Sequence, residues 1–150
     1  KVVISYPTKE EEKEILRSHI MPSQQGISPV ISPKDILHAR EVVKEVYIDG
    51  KIENYIADIV FATRFPQDYN LNDLKPFIAY GASPRATINL ALASRALAFI
   101  KRRGYVIPED VREVCMDVLR HRVGLTYEAE AENIKAEDLV TEIVNKIEVP

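Results

Sequence analysis

The chain has 150 residues, a formal charge of −3, 46% hydrophobic residues and 29% charged ones. That is enough apolar material for one packed domain and too little positive charge for a general nucleic-acid binder. The single cysteine, Cys115, excludes an internal disulfide, and no apolar run approaches the ~20 residues that span a bilayer, so the expected setting is the cytoplasm, with no membrane partner.

The chain opens on "KVVISYP". Val2 to Ser5 read as a short apolar strand of the kind buried in a parallel sheet, yet no partner strand follows. The expectation is that residues 1–7 are the last strand and hinge of an α/β domain, with an extended terminal arm as the alternative. A helix is predicted from Thr8, where Thr8 and Glu11 match the capping box and Glu10, Glu11 and Glu12 suit the positive helix end. Met21 to Ser32 read as a Pro/Ser/Gln/Gly-rich connector. A second helix is predicted from Ser32, with Pro33 at its first position and Ile36, Leu37, Val42, Val43, Val46 and Tyr47 on its core face. Asp49-Gly50 signals a turn. A third helix, about 51–64, places Ile52, Tyr55, Ile56, Ile59, Val60 and Thr63 at helical spacing.

Phe65 to Ser83 reads as a long irregular stretch, a length that often serves function. The fourth helix is predicted from Pro84 to about Arg103, capped by Ser83 and ended by Gly104. Its alanines and leucines lie nearly all round, which predicts a central, buried helix. The fifth starts at Pro108, with Val111, Val114, Cys115, Val118 and Leu119 on one face and Gly124 as its stop; a last amphipathic helix starts near Lys135. The expected fold class is mainly α: a helical bundle over residues 8–150 with a short strand in front.

No phosphate-binding loop G-x-x-x-x-G-K-[ST], no G-x-G-x-x-G and no Cys/His cluster with zinc spacing occurs. His19, His38 and His121 fall on separate elements, which leaves no nucleophile–base pattern. What stands out is Arg85, a cation in the first turn of a helix, where the dipole disfavours it. Gly81 permits close backbone approach, and Ser83 and Pro84 set the helix start. A phosphate placed there would meet both the helix dipole and a bidentate guanidinium, which makes the Ser83, Pro84 and Arg85 tip a candidate polyphosphate site. The alternative is a surface arginine paired with some Asp or Glu. Arg95 shares the stripe of Arg85, Ile88, Leu92 and Phe99 and reads as a structural arginine, paired to a carboxylate or snorkelling. Lys101, Arg102, Arg103, Arg120, His121 and Arg122 sit where cations belong, at helix C-termini. Tyr105 and Tyr127 read as packing aromatics with a wet tip.

"GASPRA" followed by "LALASRALAFIKRRGYVIPEDVREVCMDVLRHRVGL" closely resembles the C-terminal lid of MoxR-type AAA+ ATPases, as do "YPTKEEEKEIL", "VVKEVYID", "YIADIVFATR" and "YEAEAENI". The resemblance covers nearly the whole chain. It implies a helical lid whose sensor-2 arginine is Arg85, which makes Arg85 the candidate catalytic residue and Arg85, Ser83 and Pro84 the candidate nucleotide-binding residues. ATP with Mg2+ would be held mainly by a nucleotide-binding core that this sequence lacks. It also implies ATP hydrolysis by the full-length protein and none by this chain alone, ring-shaped oligomers expected as hexamers, and partners carrying von Willebrand factor A domains. The competing class is a non-enzymatic helical module that binds protein or DNA, suggested by helices four and five and by "LRHRV"; the acidic balance weighs against DNA.

Overall fold

The computed structural model describes residues 2–20 and 28–150, so most of the expected connector, Met21 to Ile27, lies outside the described residues. Packing divides the chain into a unit of residues 2–38 and a unit of residues 39–150.

In the first unit, α1 spans Lys9–Ile20. Its start is the expected capping box: the Thr8 amide donates to Glu11 Oε2 at 2.6 Å and the Glu11 amide to Thr8 Oγ1 at 3.3 Å. None of its residues is buried, and Ile15, Leu16 and Ile20 are all exposed. Residues 2–8 form no strand, and Val2, Val3 and Ile4 are exposed. A strand exists by ladder pairing, and no ladder reaches this segment among the described residues. Helix α2, Pro33–Glu45, begins at a second capping box, Ser32 with Asp35. Its expected core face is covered only in part: Ile36, Leu37 and Tyr47 are exposed, Val42 and Val43 are half-buried, and Val46 is buried.

The second unit is a helical bundle built on α3 (Gly50–Ala62), α4 (Pro84–Ile100), α5 (Pro108–Leu119) and α7 (Ala136–Lys146), with the short α6 (Tyr127–Ala131) before α7. Asp49-Gly50 is a helix start rather than a turn, because the Asp49 carboxylate accepts the Lys51 amide at 2.9 Å and Gly50 opens α3. Helix α4 packs on α3 and α5, and α5 packs on α7. Ile56, Ile59, Leu90, Val111, Leu119, Leu139 and Ile143 fill the space between them.

Helix α4 is not buried all round. It buries Ala86, Leu90, Ser94 and Ala98, four positions apart, while Ile88, Leu92 and Ile100 stay exposed. Three of those four contacts are small, which lets the neighbouring backbones approach closely. The helix stops at Ile100, three residues early. Arg102 takes the left-handed conformation at φ 59°, the Arg103 amide reaches Ala98 O at 2.9 Å and the Arg102 amide reaches Phe99 O at 2.8 Å. That is a Schellman end with arginine in the position glycine usually fills; Gly104 plays no such part.

The stretch expected to be irregular is folded. It holds two 3-10 turns, Pro66–Tyr69 and Asn72–Phe77, and strand β1, Ile78–Tyr80. Leu71 and Leu74 anchor it in the core. Strand β1 pairs antiparallel with β2, Gly124–Leu125, so Gly124 opens a strand and does not stop α5, which already ends at Leu119. The Tyr80 ring lies where a Cβ of residue 124 would be. Tyr105, expected to pack, is half exposed; its segment forms a single parallel bridge to Tyr47.

Candidate nucleotide-phosphate site at the start of helix α4

Thr63 sits at the C-terminal end of α3 and is fully buried. Its hydroxyl donates to Val60 O at 2.6 Å and accepts the Ala82 amide at 2.9 Å. One residue earlier in the loop, a Cβ at Gly81 would lie 2.3 Å from Thr63 O and 2.6 Å from Arg64 Cγ. Only glycine lets the two backbones come this close. The loop is thus clamped to α3 immediately before α4 begins.

Pro84 occupies the first helical position, as expected. Ser83 occupies the N-cap with extended backbone and accepts the Ala86 amide through its carbonyl at 2.8 Å, but its hydroxyl makes no capping hydrogen bond. The sequence reading of Ser83 as a side-chain cap is therefore corrected: Pro84 and the Thr63 clamp set the helix start, and the hydroxyl stays exposed beside it. Arg85 follows on the first turn, exposed, with no ion pair or hydrogen bond among the described residues. The surface-pair alternative thus finds no acid in the described chain.

The other cations divide sharply. Arg103 holds the buried Asp110 through both carboxylate oxygens, one at 2.6 Å, and Lys101 reaches the same carboxylate at 3.8 Å. Burial pushes the Asp110 carboxyl up, but the Arg103 guanidinium, the Ile107 amide and Lys101 outweigh it and leave the group below the ordinary carboxylate range. Arg120 caps α5 on Met116 O and pairs with Asp117; Arg122 donates to Val118 O at 2.6 Å and contacts His121. These are helix-end cations, as expected. Arg95 is different. It forms no ion pair among the described residues, and its Nε is shut off from solvent without a partner. The expected carboxylate on another helix is not there.

Sequence reasoning passed over Arg64. Its guanidinium carbon lies 4.3 Å over the Phe61 ring and 6.0 Å from the Phe65 ring. Its proximity to the Gly81 loop needs two segments 17 residues apart to meet, which no local pattern reveals. Among the described residues no group of three His, Cys, Asp or Glu side chains converges as a metal site. No described helix is long and apolar enough to cross a membrane.

The helical bundle is of the AAA lid class. Residues 72–143 match the family described as "AAA lid domain". The whole chain is similar, at 39% identity over 40% of that protein's length, to Chaperone MoxR1 of Mycobacterium tuberculosis. It is 36% identical to Protein MoxR of Paracoccus denitrificans over 68% of this chain and 31% of that one. A solved crystal structure from Cytophaga hutchinsonii, described as "a putative ATPase", superposes with a TM-score of 0.91 at 40% identity, covering 98% of this chain and 45% of that one. The chain belongs to the MoxR-type AAA+ family, as its lid domain. It spans less than half the length of each of these relatives.

Proposed function

We propose that this chain is the mobile lid of an ATP-hydrolysing MoxR-type enzyme and that Arg85 is its sensor-2 residue, contacting the terminal phosphate of ATP. In this reading residues 1–7 are the end of a nucleotide-binding core and residues 8–150 are the lid. The core binds the nucleotide and Mg2+, which carries the phosphoryl-transfer chemistry. The single observation behind the reading is that Arg85 is exposed on the first turn of α4 without an acid partner in the described chain. A cation there is unfavourable beside an empty helix N-terminus and favourable once an anion sits between the guanidinium and the helix amides. Pro84 and the Thr63 clamp fix the height of that first turn, and the Ser83 hydroxyl, which caps nothing, is free to donate to the same anion.

Arg85 then tells the lid which nucleotide the core holds. With a terminal phosphate present, the guanidinium joins lid to core; without it, the contact is lost and the lid is released. Repeated in a ring of copies, with six as the expected number, this motion would remodel partner proteins, von Willebrand factor A domains among them, in the cytoplasm. The alternative of a DNA-binding module fares worse. Helix α5 spends Val111, Cys115, Val118 and Leu119 on the core, and the "LRHRV" arginines are occupied by carbonyls and Asp117.

The test is Arg85→Ala in the intact protein. An electrostatic contact to the migrating charge is worth about 10²-fold or more in turnover. The side chain is exposed and disfavoured beside an empty helix N-terminus, so the melting temperature of the nucleotide-free protein should not fall. Unchanged ATP turnover and unchanged ATP-dependent closure would remove Arg85 from the mechanism.

A further inference from the structure

The bundle contains one more arginine whose circumstances match those of a ligand-binding group. Arg64 stands at the C-terminal end of α3, and its stem lies against Gly81, in the loop that leads through Ser83 and Pro84 to Arg85. Its head is held over Phe61, with Phe65 on a second side; both rings are nearly half exposed. A guanidinium stacked on rings keeps its N–H donors for groups at its edge. Those donors are unspent. Arg64 has no carboxylate partner among the described residues, and its Nε is closed off from water without a hydrogen bond. Asp58, on the same helix, takes the Tyr69 hydroxyl at 2.9 Å and forms no ion pair with Arg64.

Arginines with structural work in this bundle are satisfied from within it: Arg103 by Asp110, Arg112 by Asn145 at 2.7 Å, Arg120 by Asp117. A buried donor without a partner carries a desolvation penalty. Arg95 shares that condition, but it lies ten residues along α4 from Arg85, about 15 Å away, and cannot serve the same loop.

We propose that Arg64 is a second phosphate-binding arginine, holding the anion from the α3 side of the Gly81–Pro84 loop while Arg85 holds it from the helix tip. This rests on the reading of the α4 tip as a nucleotide-phosphate site. The Phe61 and Phe65 rings pre-set the plane of the fork, so that little side-chain freedom is lost on binding.

The experiment compares Arg64→Gln, Arg64→Lys and Arg85→Gln in the intact protein, with MgATP as substrate and tripolyphosphate as a probe in thermal melts. Arg64→Gln is expected to raise the KM for MgATP about tenfold or more, the loss of one good charge-assisted contact. Arg64→Lys keeps a charge and a stem but not the fork, and should recover only part of the loss. Tripolyphosphate should raise the melting temperature of the parent by more than that of Arg64→Gln, in which the core still holds it. A KM and kcat within about twofold of the parent in both Arg64 variants, with tripolyphosphate stabilisation intact, overturns the proposal. Should Arg64→Gln not fold, Arg64→Lys with the tripolyphosphate melt decides the matter in the same way. Loss in Arg85→Gln alone leaves the sensor reading standing and removes Arg64; loss in the Arg64 variants alone keeps Arg64 as a phosphate ligand and removes Arg85.

Discussion

Thr63→Val removes one hydroxyl and leaves the shape of the side chain. Two hydrogen bonds go with it, from Thr63 Oγ1 to Val60 O at 2.6 Å and from the Ala82 amide to Thr63 Oγ1 at 2.9 Å. Ala82 is fully buried, so its amide has no water to turn to. A buried donor left unsatisfied costs about 1–3 kcal/mol, and the added methyl returns little because the site is already filled. The expected loss is about 2 kcal/mol, or a melting temperature lower by roughly 5–10 °C for a domain of this size. Calorimetry reads the loss directly. Hydrogen exchange at the Ala82 amide reads its location, with protection falling in Thr63→Val and returning in Thr63→Ser, which restores the hydroxyl. Gly81→Ala should damage the same clamp by sterics, since its Cβ would meet the Thr63 carbonyl. A Thr63→Val melt within about 2 °C of the parent, with the Ala82 amide still protected, would refute the clamp.

Burial pushes the Cys115 thiol up to about 12. The folded chain should therefore resist alkylation at pH 8 and react only on unfolding. Because the folded thiol holds its proton above the ordinary range, stability should hold below about pH 9 and fall as pH rises from there toward 12, a limb that Cys115→Ala flattens but does not abolish. Tyr69, raised to about 12 by burial and by its bond to Asp58, adds to the same alkaline loss. Asp110→Asn should destabilise the bundle by an amount near the lower end of about 3–5 kcal/mol, since Arg103 keeps some water when abandoned. Its carboxyl is held below the ordinary range, so its contribution is present at neutral pH and lost on acidification; the variant should show a flatter acid limb in a melting-temperature series. Arg102→Gly should stabilise by about 0.5–1 kcal/mol, because glycine accepts the left-handed conformation at φ 59° without the Cβ clash; an unchanged or lower melting temperature would count against that account.

Local chemistry was sufficient to read the helices and most of their starts from sequence. Thr8 with Glu11 and Ser32 with Asp35 form their boxes within four residues, Pro84 and Pro108 carry their own backbone preference, and α3, α5 and α7 show their buried stripes as plain periodicity. The display of Arg85 on a first turn was equally legible, because it depends on a proline and a position. The short α6 was not read, being a single turn and a half with no periodicity to detect. Which face of α4 would be covered could not be read either. An alanine-rich helix with apolar residues all round offers several equivalent faces, and the choice of Ala86, Leu90, Ser94 and Ala98 was made by α3 and α5. Nor could sequence show that Thr63, Arg64 and Gly81 meet. Their contact joins segments far apart in the chain, through the buried hydrogen bond from the Ala82 amide to Thr63 Oγ1 and the close approach of Gly81 to Arg64. The arginine at the helix tip belongs to the sequence; the clamp that holds it, and the unpaired arginine beside that clamp, belong to the packed tertiary structure alone.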